Sequence, residues 1–193
     1  MDTTNLRADL DIQATLHGHP LDFKSHHGLF SPKRIDDGTR LLLGHFHVEP
    51  HHDNFDLGCG YGPLGLTLAA DAPAGRTLMV DRDFLAVDYA NRNAQLNGIT
   101  NATAQLGNGF DGLPPDRTFD NVVSNLPAKT GGELLTVLLH DAHTRLRPGG
   151  RLCVVTVTGL RKFIQRHMTD RFGNYDKLKQ GKTHTVALAV KNP

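Results

Sequence analysis

Segments with strand character and segments with helix character alternate from about Asn54 almost to the end of the chain. Parallel strands need a long crossover between them, usually a helix, so this alternation predicts a doubly wound α/β sheet. The last two strand-like segments, 175–178 and 183–190, follow each other without a helix and predict a closing antiparallel hairpin. They bring the predicted strands to seven, the other five being 54–57, 76–80, 102–106, 119–124 and 151–158.

The first 50 residues have a different pattern. Apolar and polar residues alternate with a period of two in LDIQATL and again in PLDFKSH, which predicts a small β extension. A short helix is predicted near residues 38–43. We therefore divide the chain into an N-terminal β extension with the first helix, residues 1–50, and a main domain, residues 51–193, which together form one compact domain.

Composition narrows the class of protein. Hydrophobic residues make up 38% of the chain, and no apolar run approaches the roughly 18 residues of a membrane span. The N-terminus lacks the apolar core of a signal peptide, so we expect a soluble, cytoplasmic protein without a membrane partner. Cys59 and Cys153 form no Cys-x-x-Cys pattern and predict neither a disulfide framework nor a zinc site.

The charge and the histidine content bear on nucleic-acid binding and on metal binding. The formal net charge of +1 excludes a globally basic nucleic-acid binder, so any basic patch must be local. Twelve histidines, several of them paired before residue 53, raise the question of a metal. No His-Glu-x-x-His pattern accompanies them, and we expect solvated or hydrogen-bonded histidines and no metal. The choice between a monomer and a homodimer stays open.

The motif DLGCGYG follows the first predicted strand of the main domain. It contains glycines at alternate positions, Gly58, Gly60 and Gly62. Glycine lets the backbone turn sharply and approach a ligand closely. Together with Gly65 and Asp81 the loop also fits the dinucleotide fingerprint, so the loop alone leaves a nicotinamide cofactor open beside S-adenosylmethionine. Asp56 favours S-adenosylmethionine, because its carboxylate can meet the ammonium group of that cofactor.

Polar residues also end the next two strands. Asp81 is expected to accept hydrogen bonds from both ribose hydroxyls, the alternative being an exposed strand-end charge. Asn108 is expected to select the adenine by its amino edge, although an Asn-Gly pair is more often a turn. The carboxyl ends of parallel strands meet at one edge of the sheet, so these positions together indicate a cofactor site more strongly than any one of them alone. Their neighbours complete the predicted cofactor contacts: Cys59, Arg82, Gly109 and Phe110.

The segment Ser-Asn-Leu-Pro at 124–127 ends the fourth strand, at the crevice where open α/β sheets bind ligands. The Asn125 side-chain oxygen and the Leu126 carbonyl can each accept an N–H and hold an amino group in line for methyl transfer. Pro127 stiffens the loop. These oxygens would stabilise the positive charge that develops on the nitrogen. For the tetrapeptide alone, an ordinary strand-to-loop turn is the alternative.

Four segments resemble the methyltransferase small-domain family: GLFSPKRIDDGTRLLL, FDLGCGYGPLGLTLA, MVDRDFLAVDYANRNAQLNG and FDNVVSN. The resemblance covers about residues 28–191. The family is similar to ribosomal RNA guanine-N2 methyltransferases, with relatives acting on adenine and on protein glutamine. It implies a class I methyltransferase fold that binds S-adenosylmethionine through the glycine-rich loop, Asp81, Asn108 and Gly38-Thr39.

The chain departs from the family pattern in the tetrapeptide. The family has Asn-Pro-Pro followed by an aromatic residue, and this chain has Asn-Leu-Pro-Ala at 125–128. A stacked base contributes about 1–3 kcal/mol, so either another ring takes that role or the substrate is not held between planes. Lys129, next in the loop, is expected to contact a phosphate or to lie in solvent. The candidate rings are Phe30, Tyr61 and Phe110.

Positive charge concentrates near the C-terminus, where RNA contacts are predicted at Arg161, Lys162 and Arg166. Pro32-Lys33-Arg34 is a second expected contact, and a solvated charged face is the alternative for both. We therefore expect an S-adenosylmethionine-dependent N-methyltransferase acting on an exocyclic amino group of an RNA base, of the ribosomal guanine-N2 type. The alternatives are methylation of a protein amide or small molecule, a nicotinamide-dependent oxidoreductase, and a non-catalytic binding module.

Overall fold

The computed structural model describes residues 8–127 and 131–192. The strands are β1 (Leu10–Leu16), β2 (His19–Ser25), β3 (Asn54–Leu57), β4 (Thr77–Asp81), β5 (Ala102–Leu106), β6 (Phe119–Asn125), β7 (Leu146–Val157), β8 (Asp176–Gln180) and β9 (His184–Val190). The helices are α1 (Asp37–Leu43), α2 (Pro63–Asp71), α3 (Phe84–Leu96), α4 (Gly132–Arg145) and α5 (Arg161–Phe172), the last preceded by a 3-10 turn, Thr158–Leu160.

Seven strands form one mixed sheet in the order β5-β4-β3-β6-β7-β9-β8. Strands β3 to β7 are parallel, and β9 is antiparallel to both β7 and β8. The doubly wound sheet and its closing hairpin are therefore confirmed, as is the N-terminal extension, in which β1 pairs with β2. The chain runs outward from β3 to β5 on one side and resumes at β6 on the other. This order places a switch point, where open α/β sheets bind ligands, between the carboxyl ends of β3 and β6.

The largest departure from the predicted boundaries is at the start of β7. The helix predicted over 133–146 ends at Arg145, and the strand predicted to start at 151 already begins at Leu146. Pro148-Gly149-Gly150 was predicted to stop a helix but lies within β7. The sheet accommodates it through a shift in register against β6, because a bulge tolerates residues that regular strand pairing does not.

Buried side chains pack on both faces of the sheet. The β1–β2 hairpin and helices α1 to α3 cover one face, and helices α4 and α5 cover the other. On the second face the ring of Phe55 lies 4.5 Å from that of Phe110 and 5.0 Å from that of Phe119, between centroids. Burying each such side chain contributes about 1.5–3 kcal/mol. This packing fixes β3 immediately before Asp56.

The amide of Asn93 holds three parts of the chain together. From α3, its oxygen accepts the Lys24 N–H at 2.7 Å and its nitrogen donates to the Lys24 carbonyl at 2.9 Å. The same nitrogen donates to the Tyr61 carbonyl at 2.9 Å. The side chain is fully buried, so its polar atoms need these partners. Asn93 thereby joins the N-terminal hairpin to the glycine-rich loop.

Two of the N-terminal histidines bind the hairpin to α2. His17 and His19 contact the two carboxylate oxygens of Asp71, and His17 Nε2 lies 2.5 Å from the Leu43 carbonyl. Hydrogen bonding to Asp71 raises the pKa of His17. Within residues 8–127 and 131–192, no group of three or more His, Cys, Asp or Glu side chains is arranged to hold a metal. Over the same ranges no helix is long and apolar enough to cross a membrane.

Candidate active site

The glycine-rich loop joins β3 to α2 in a conformation that favours glycine. Gly58, Gly60 and Gly62 have φ angles of +75°, +55° and +94°. A Cβ on Gly58 or Gly60 would meet no atom of the described residues within 4 Å, so these residues leave open space beside the glycines. The left-handed backbone excludes most side chains, and the open space is where a ligand can approach the main chain.

Asp56 lies at the carboxyl end of β3, and only one of its two carboxylate oxygens is hydrogen-bonded to the described residues. Its side chain is 1% exposed, and Oδ2 accepts the Gly65 N–H at 2.8 Å. The other oxygen, Oδ1, is buried and has no hydrogen-bond partner among the described residues. Burial raises the pKa of Asp56 to about 7. A buried carboxylate with an unused oxygen needs a cationic or donor partner, and an ammonium group fits that requirement.

Gly65 contributes to this part of the site by lacking a side chain, a role that the sequence interpretation did not give it. A Cβ there would lie 2.6 Å from Met79 Cγ and 2.9 Å from Asp56 Oδ2. Both distances are too short for any real contact. The glycine therefore lets α2 pack close to β4 and lets its own N–H reach Asp56.

Asp81 ends β4 next to the glycine-rich loop. Its Oδ2 accepts the Gly60 N–H at 2.9 Å, and its Oδ1 accepts the Asp83 N–H at 3.0 Å. A carboxylate has about four lone-pair sites, so both oxygens keep capacity for further donors such as ribose hydroxyls. Asp81 also holds Gly60 in place, so it shapes the cradle as well as lining it.

The predicted contacts after β5 are divided between surface and core. Asn108 is exposed, in a turn where its carbonyl accepts the Asp111 N–H at 3.4 Å, and Gly109 has a φ of +67°. Phe110 is only 4% exposed and its ring stacks on Phe55 in the core.

Two other predicted cofactor contacts lie beside the glycine-rich loop and β4. The Cys59 side chain is buried, and burial raises the pKa of its thiol. Arg82 is exposed directly after Asp81.

Asn125 ends β6 and uses its amide nitrogen within the fold. Nδ2 donates to Asp36 Oδ2 at 2.8 Å and to Thr39 Oγ1 at 3.1 Å. These bonds leave the amide oxygen as the polar atom for an external donor. The sequence interpretation included Thr39 but missed Asp36, whose position before a helix is also typical of an ordinary N-cap.

The segment around Asn125 is tied to the neighbouring strands. Ser124 Oγ donates to the Leu57 carbonyl at 2.6 Å, directly before the glycine-rich loop. The Leu126 N–H donates to the Val155 carbonyl at 2.9 Å. The Pro127 side chain is exposed. The predicted catalytic segment is therefore fixed beside the predicted cofactor loop at the switch point.

The three candidate aromatic rings differ in exposure. Tyr61 is 2% exposed, and its hydroxyl donates to the carbonyls of Ser31 at 3.4 Å and Arg34 at 3.2 Å. Phe110 lies in the core. Phe30 is 69% exposed, in the loop that Tyr61 holds against the glycine-rich loop. Phe30 is thus the one of the three whose ring is open to a substrate.

The predicted RNA contacts on α5 lie partly on the surface. Lys162 and Arg166 are exposed, whereas Arg161 is half-buried and donates to Gln180 Oε1 at 2.7 Å. On the same helix the Phe163 ring would be 3.4 Å from a Cβ on Gly132, so α5 lies next to the start of α4. Ala128 and Lys129 lie outside the described residues.

A seven-stranded sheet with a closing hairpin, a switch point, and an acid-flanked glycine-rich loop defines a class I S-adenosylmethionine-dependent methyltransferase. The model of the methyltransferase small domain matches residues 20–187. The chain therefore belongs to the methyltransferase small domain family, as its resemblance to that family implied. The nicotinamide alternative, which the glycine-rich loop alone left open, is not supported.

Two curated relatives and one solved structure give the extent of the similarity. The uncharacterized protein YbxB of Bacillus subtilis is 34% identical over 142 residues, covering 72% of this chain and 70% of YbxB. Ribosomal RNA small subunit methyltransferase C of Pseudomonas putida is 34% identical over 154 residues, covering 78% of this chain and 46% of the relative. The T. thermophilus 16S rRNA N2 methyltransferase RsmC, solved with AdoMet and guanosine, superposes with a TM-score of 0.86 at 26% identity. The superposition covers 94% of this chain and 50% of the RsmC chain. This chain therefore spans about half the length of these ribosomal RNA methyltransferases.

Proposed function

We propose that this protein transfers a methyl group from S-adenosylmethionine to the exocyclic N2 amino group of a guanine in ribosomal RNA, in the cytoplasm. Family membership supports the reaction type and the cofactor. The acceptor is supported by the relatives, which include a ribosomal RNA small subunit methyltransferase and a methyltransferase solved with guanosine. A protein amide and a small molecule are the competing acceptors.

The hydrogen bonds around Asn125 are the main support for this function. Its nitrogen is engaged by Asp36 and Thr39, so its oxygen is the atom left for the substrate. Ser124, the preceding residue, is bonded to the carbonyl just before the glycine-rich loop. An acceptor oxygen is thereby held at the switch point, next to the loop proposed to bind the cofactor.

Two acceptors match the two hydrogens of an amino group. Bound S-adenosylmethionine would supply an electrophilic methyl group on its sulfonium. The guanine amine is a weak nucleophile, because its lone pair is conjugated with the ring. The Asn125 oxygen and the Leu126 carbonyl would orient this amine and stabilise the positive charge that develops on it, as preorganised dipoles do elsewhere. The cofactor would leave as the neutral thioether, and the methylated nitrogen would then release one of its hydrogens as a proton to solvent.

The cofactor would be held by the groups that the fold leaves unsatisfied. We assign its ammonium to Asp56 Oδ1, which is buried and has no partner within the described residues. Its ribose is assigned to Asp81, and its adenine to Asn108 with the backbone at Gly109. Thr39 and the backbone of Cys59 would complete the wall of the site.

Phe30 is proposed to replace the aromatic residue that the family carries after its Asn-Pro-Pro. Its ring is exposed, and its loop is fixed against the glycine-rich loop through the Tyr61 hydroxyl. Lys33, exposed in the same loop, lies three residues before Asp36 and would contact a neighbouring phosphate. The base and its backbone would thus be bound from one loop.

The basic surface for the rest of the RNA is proposed to be the α5 to β8 segment. Residues 161–182 contain seven lysines or arginines and two aspartates, in a chain whose net charge is +1. Such a local concentration of cations is typical of phosphate binding. Arg161, Lys162 and Arg166 are the assigned contacts, and Lys129 is proposed as a phosphate contact closer to the methyl acceptor.

The proposal is tested by methyl transfer to ribosomal RNA transcribed in vitro, which carries no modifications. The purified protein and S-adenosylmethionine are incubated with small-subunit and large-subunit transcripts, and the digested nucleosides are measured by mass spectrometry. We expect N2-methylguanosine to form, and the Asn125→Ala variant to form far less. Methylation of a protein fraction without methylation of either RNA would contradict the proposed acceptor.

A further inference from the structure

Asp36 has a second set of contacts beyond those of a helix N-cap. Its Oδ2 accepts the N–H groups of Gly38 at 2.8 Å and Thr39 at 3.4 Å at the start of α1. The same oxygen lies 2.8 Å from the amide of Asn125, which is 89 residues away in sequence. An N-cap alone needs only the first two contacts.

These contacts decide which end of the Asn125 amide faces Asp36. Backbone N–H groups only donate, so Asp36 Oδ2 must act as an acceptor. The atom of Asn125 facing it is therefore the nitrogen. Thr39 Oγ1, at 3.1 Å, takes the second amide hydrogen. With both hydrogens engaged, a flip of the amide would set its oxygen against the Asp36 oxygen, which is unfavourable.

The space around this contact is closed by packing. A Cβ on Gly38 would lie 2.8 Å from Asp36 Oδ2, 3.3 Å from Asn125 Nδ2 and 3.2 Å from His184 Cδ2. Glycine at position 38 therefore allows α1 to begin directly against the end of β6. The N-terminal part of the chain thus reaches the predicted catalytic residue through the start of this helix.

We propose that Asp36 is a positioning residue, which locks the Asn125 amide with its oxygen toward the methyl acceptor. Thr39 assists as the second acceptor. The inference rests on the proposed function, because it gives Asn125 the role of holding the substrate amine. Without Asp36 the amide samples both orientations, and the orientation with NH2 toward the amine repels the substrate's own N–H groups.

Two substitutions distinguish the positioning of the Asn125 amide from helix capping and from an effect of the Asp36 charge. Asp36→Ser keeps a good N-cap but is too short to hold Asn125, whereas Asp36→Asn keeps an acceptor oxygen in the same place without the charge. We expect the Ser variant to lose about 10- to 100-fold in kcat with unchanged affinity for S-adenosylmethionine. The Asn variant should keep most of the wild-type kcat. In an Asn125→Ala background, Asp36→Ser should cause no further loss.

Nitrogen-15 NMR of the side-chain amides provides a readout that needs no substrate. The Asn125 NH2 resonances, assigned by their loss in Asn125→Ala, should exchange slowly with solvent in the wild type and in Asp36→Asn, and quickly in Asp36→Ser. Equal exchange in all three proteins, or wild-type kcat in Asp36→Ser, would overturn the inference. A wild type that does not methylate RNA would count against the proposed function alone, and the exchange comparison would still decide the role of Asp36.

Discussion

Strand β6 carries an asparagine near each of its ends, and the two have different surroundings. Asn121, near the amino end, is fully buried; its nitrogen donates to Asn54 Oδ1 at 2.8 Å and its oxygen accepts from Arg151 Nε at 2.9 Å. Asn125, at the carboxyl end, is half-buried, and its nitrogen is the one amide atom that bonds to other described residues. One asparagine is satisfied at both ends of its amide, and the other keeps an oxygen for a ligand.

The aspartates of the sheet divide in the same way. At the amino ends of the strands, Asp53 and Asp120 pair with Arg147 at 2.9 and 2.5 Å. Burial alone would raise the pKa of Asp120, but the Asp53 N–H and the Arg147 guanidinium outweigh it and lower the pKa. At the carboxyl end of β3, Asp56 has no cationic partner among the described residues, and burial raises its pKa to about 7. Completed polar networks therefore hold the amino edge, and the unpaired Asp56 oxygen supports our proposal that the ligand binds at the carboxyl edge.

The largest expected effect comes from exchanging the asparagines one at a time for alanine. Asn125→Ala should slow methyl transfer by about 10²–10³, because it removes a preorganised acceptor, while leaving the affinity for S-adenosylmethionine nearly unchanged. Asn121→Ala is the matched control on the same strand. It should keep kcat but lower the free energy of unfolding by about 1–3 kcal/mol, because it leaves buried partners unsatisfied. Single-turnover kinetics and urea unfolding measure the two effects, and equal kcat in both variants would show that Asn125 has no special role in methyl transfer.

The difference between Asp56 and Asp120 predicts opposite responses to pH. Because the pKa of Asp56 is raised, its ionised form costs stability in the free protein, and that cost grows as pH rises from the unfolded pKa toward about 7. An ammonium ligand needs that ionised form, so the affinity for S-adenosylmethionine should be roughly tenfold weaker at pH 6 than near pH 8. Asp120, with its lowered pKa, should contribute stability that is lost only as pH falls through its folded pKa.

Calorimetric titration across this range measures the affinity, and the Asp56→Asn variant is the control. That variant should bind the cofactor weakly and with little dependence on pH between about 6 and 8. A wild-type affinity that does not change over the same interval would remove Asp56 from the ammonium site.

A smaller effect is expected from the basic residues of α5. Changing Arg161, Lys162 and Arg166 to Gln should weaken RNA binding and reduce the salt dependence of log K by up to about 0.7–0.9 for each phosphate that is no longer neutralised. Binding is measured by fluorescence anisotropy between about 50 and 200 mM salt. An unaltered slope would place the phosphate-binding residues elsewhere, with Lys33 as the next residue to change.

The sequence predicted the features that depend on local pattern. The strands, the glycine-rich loop and the polar residues at strand ends follow from apolar periodicity and from glycines that need unusual backbone angles, and the sheet that contains them is confirmed. The β7 boundary was wrong, because Pro-Gly-Gly is typical of a helix stop whether or not a bulged strand can absorb it.

The local sequence pattern could not predict interactions between distant segments. The bond between Asp36 and Asn125 joins residues far apart in sequence, and an aspartate before a helix gives no sign of a second partner. A phenylalanine after a strand-end Asn-Gly has the same local pattern in a pocket and in a core, so the sequence did not reveal that the Phe110 ring packs on Phe55. Burial, which only the fold determines, separates the two.

Calorimetric titration of the protein with S-adenosylmethionine and with NADH tests whether the carboxyl edge of the sheet binds S-adenosylmethionine. We predict that S-adenosylmethionine binds, that NADH does not, and that Asp81→Ala loses much of the affinity with the hydrogen bonds to ribose. Binding of NADH without binding of S-adenosylmethionine would show that the carboxyl edge is not an S-adenosylmethionine site.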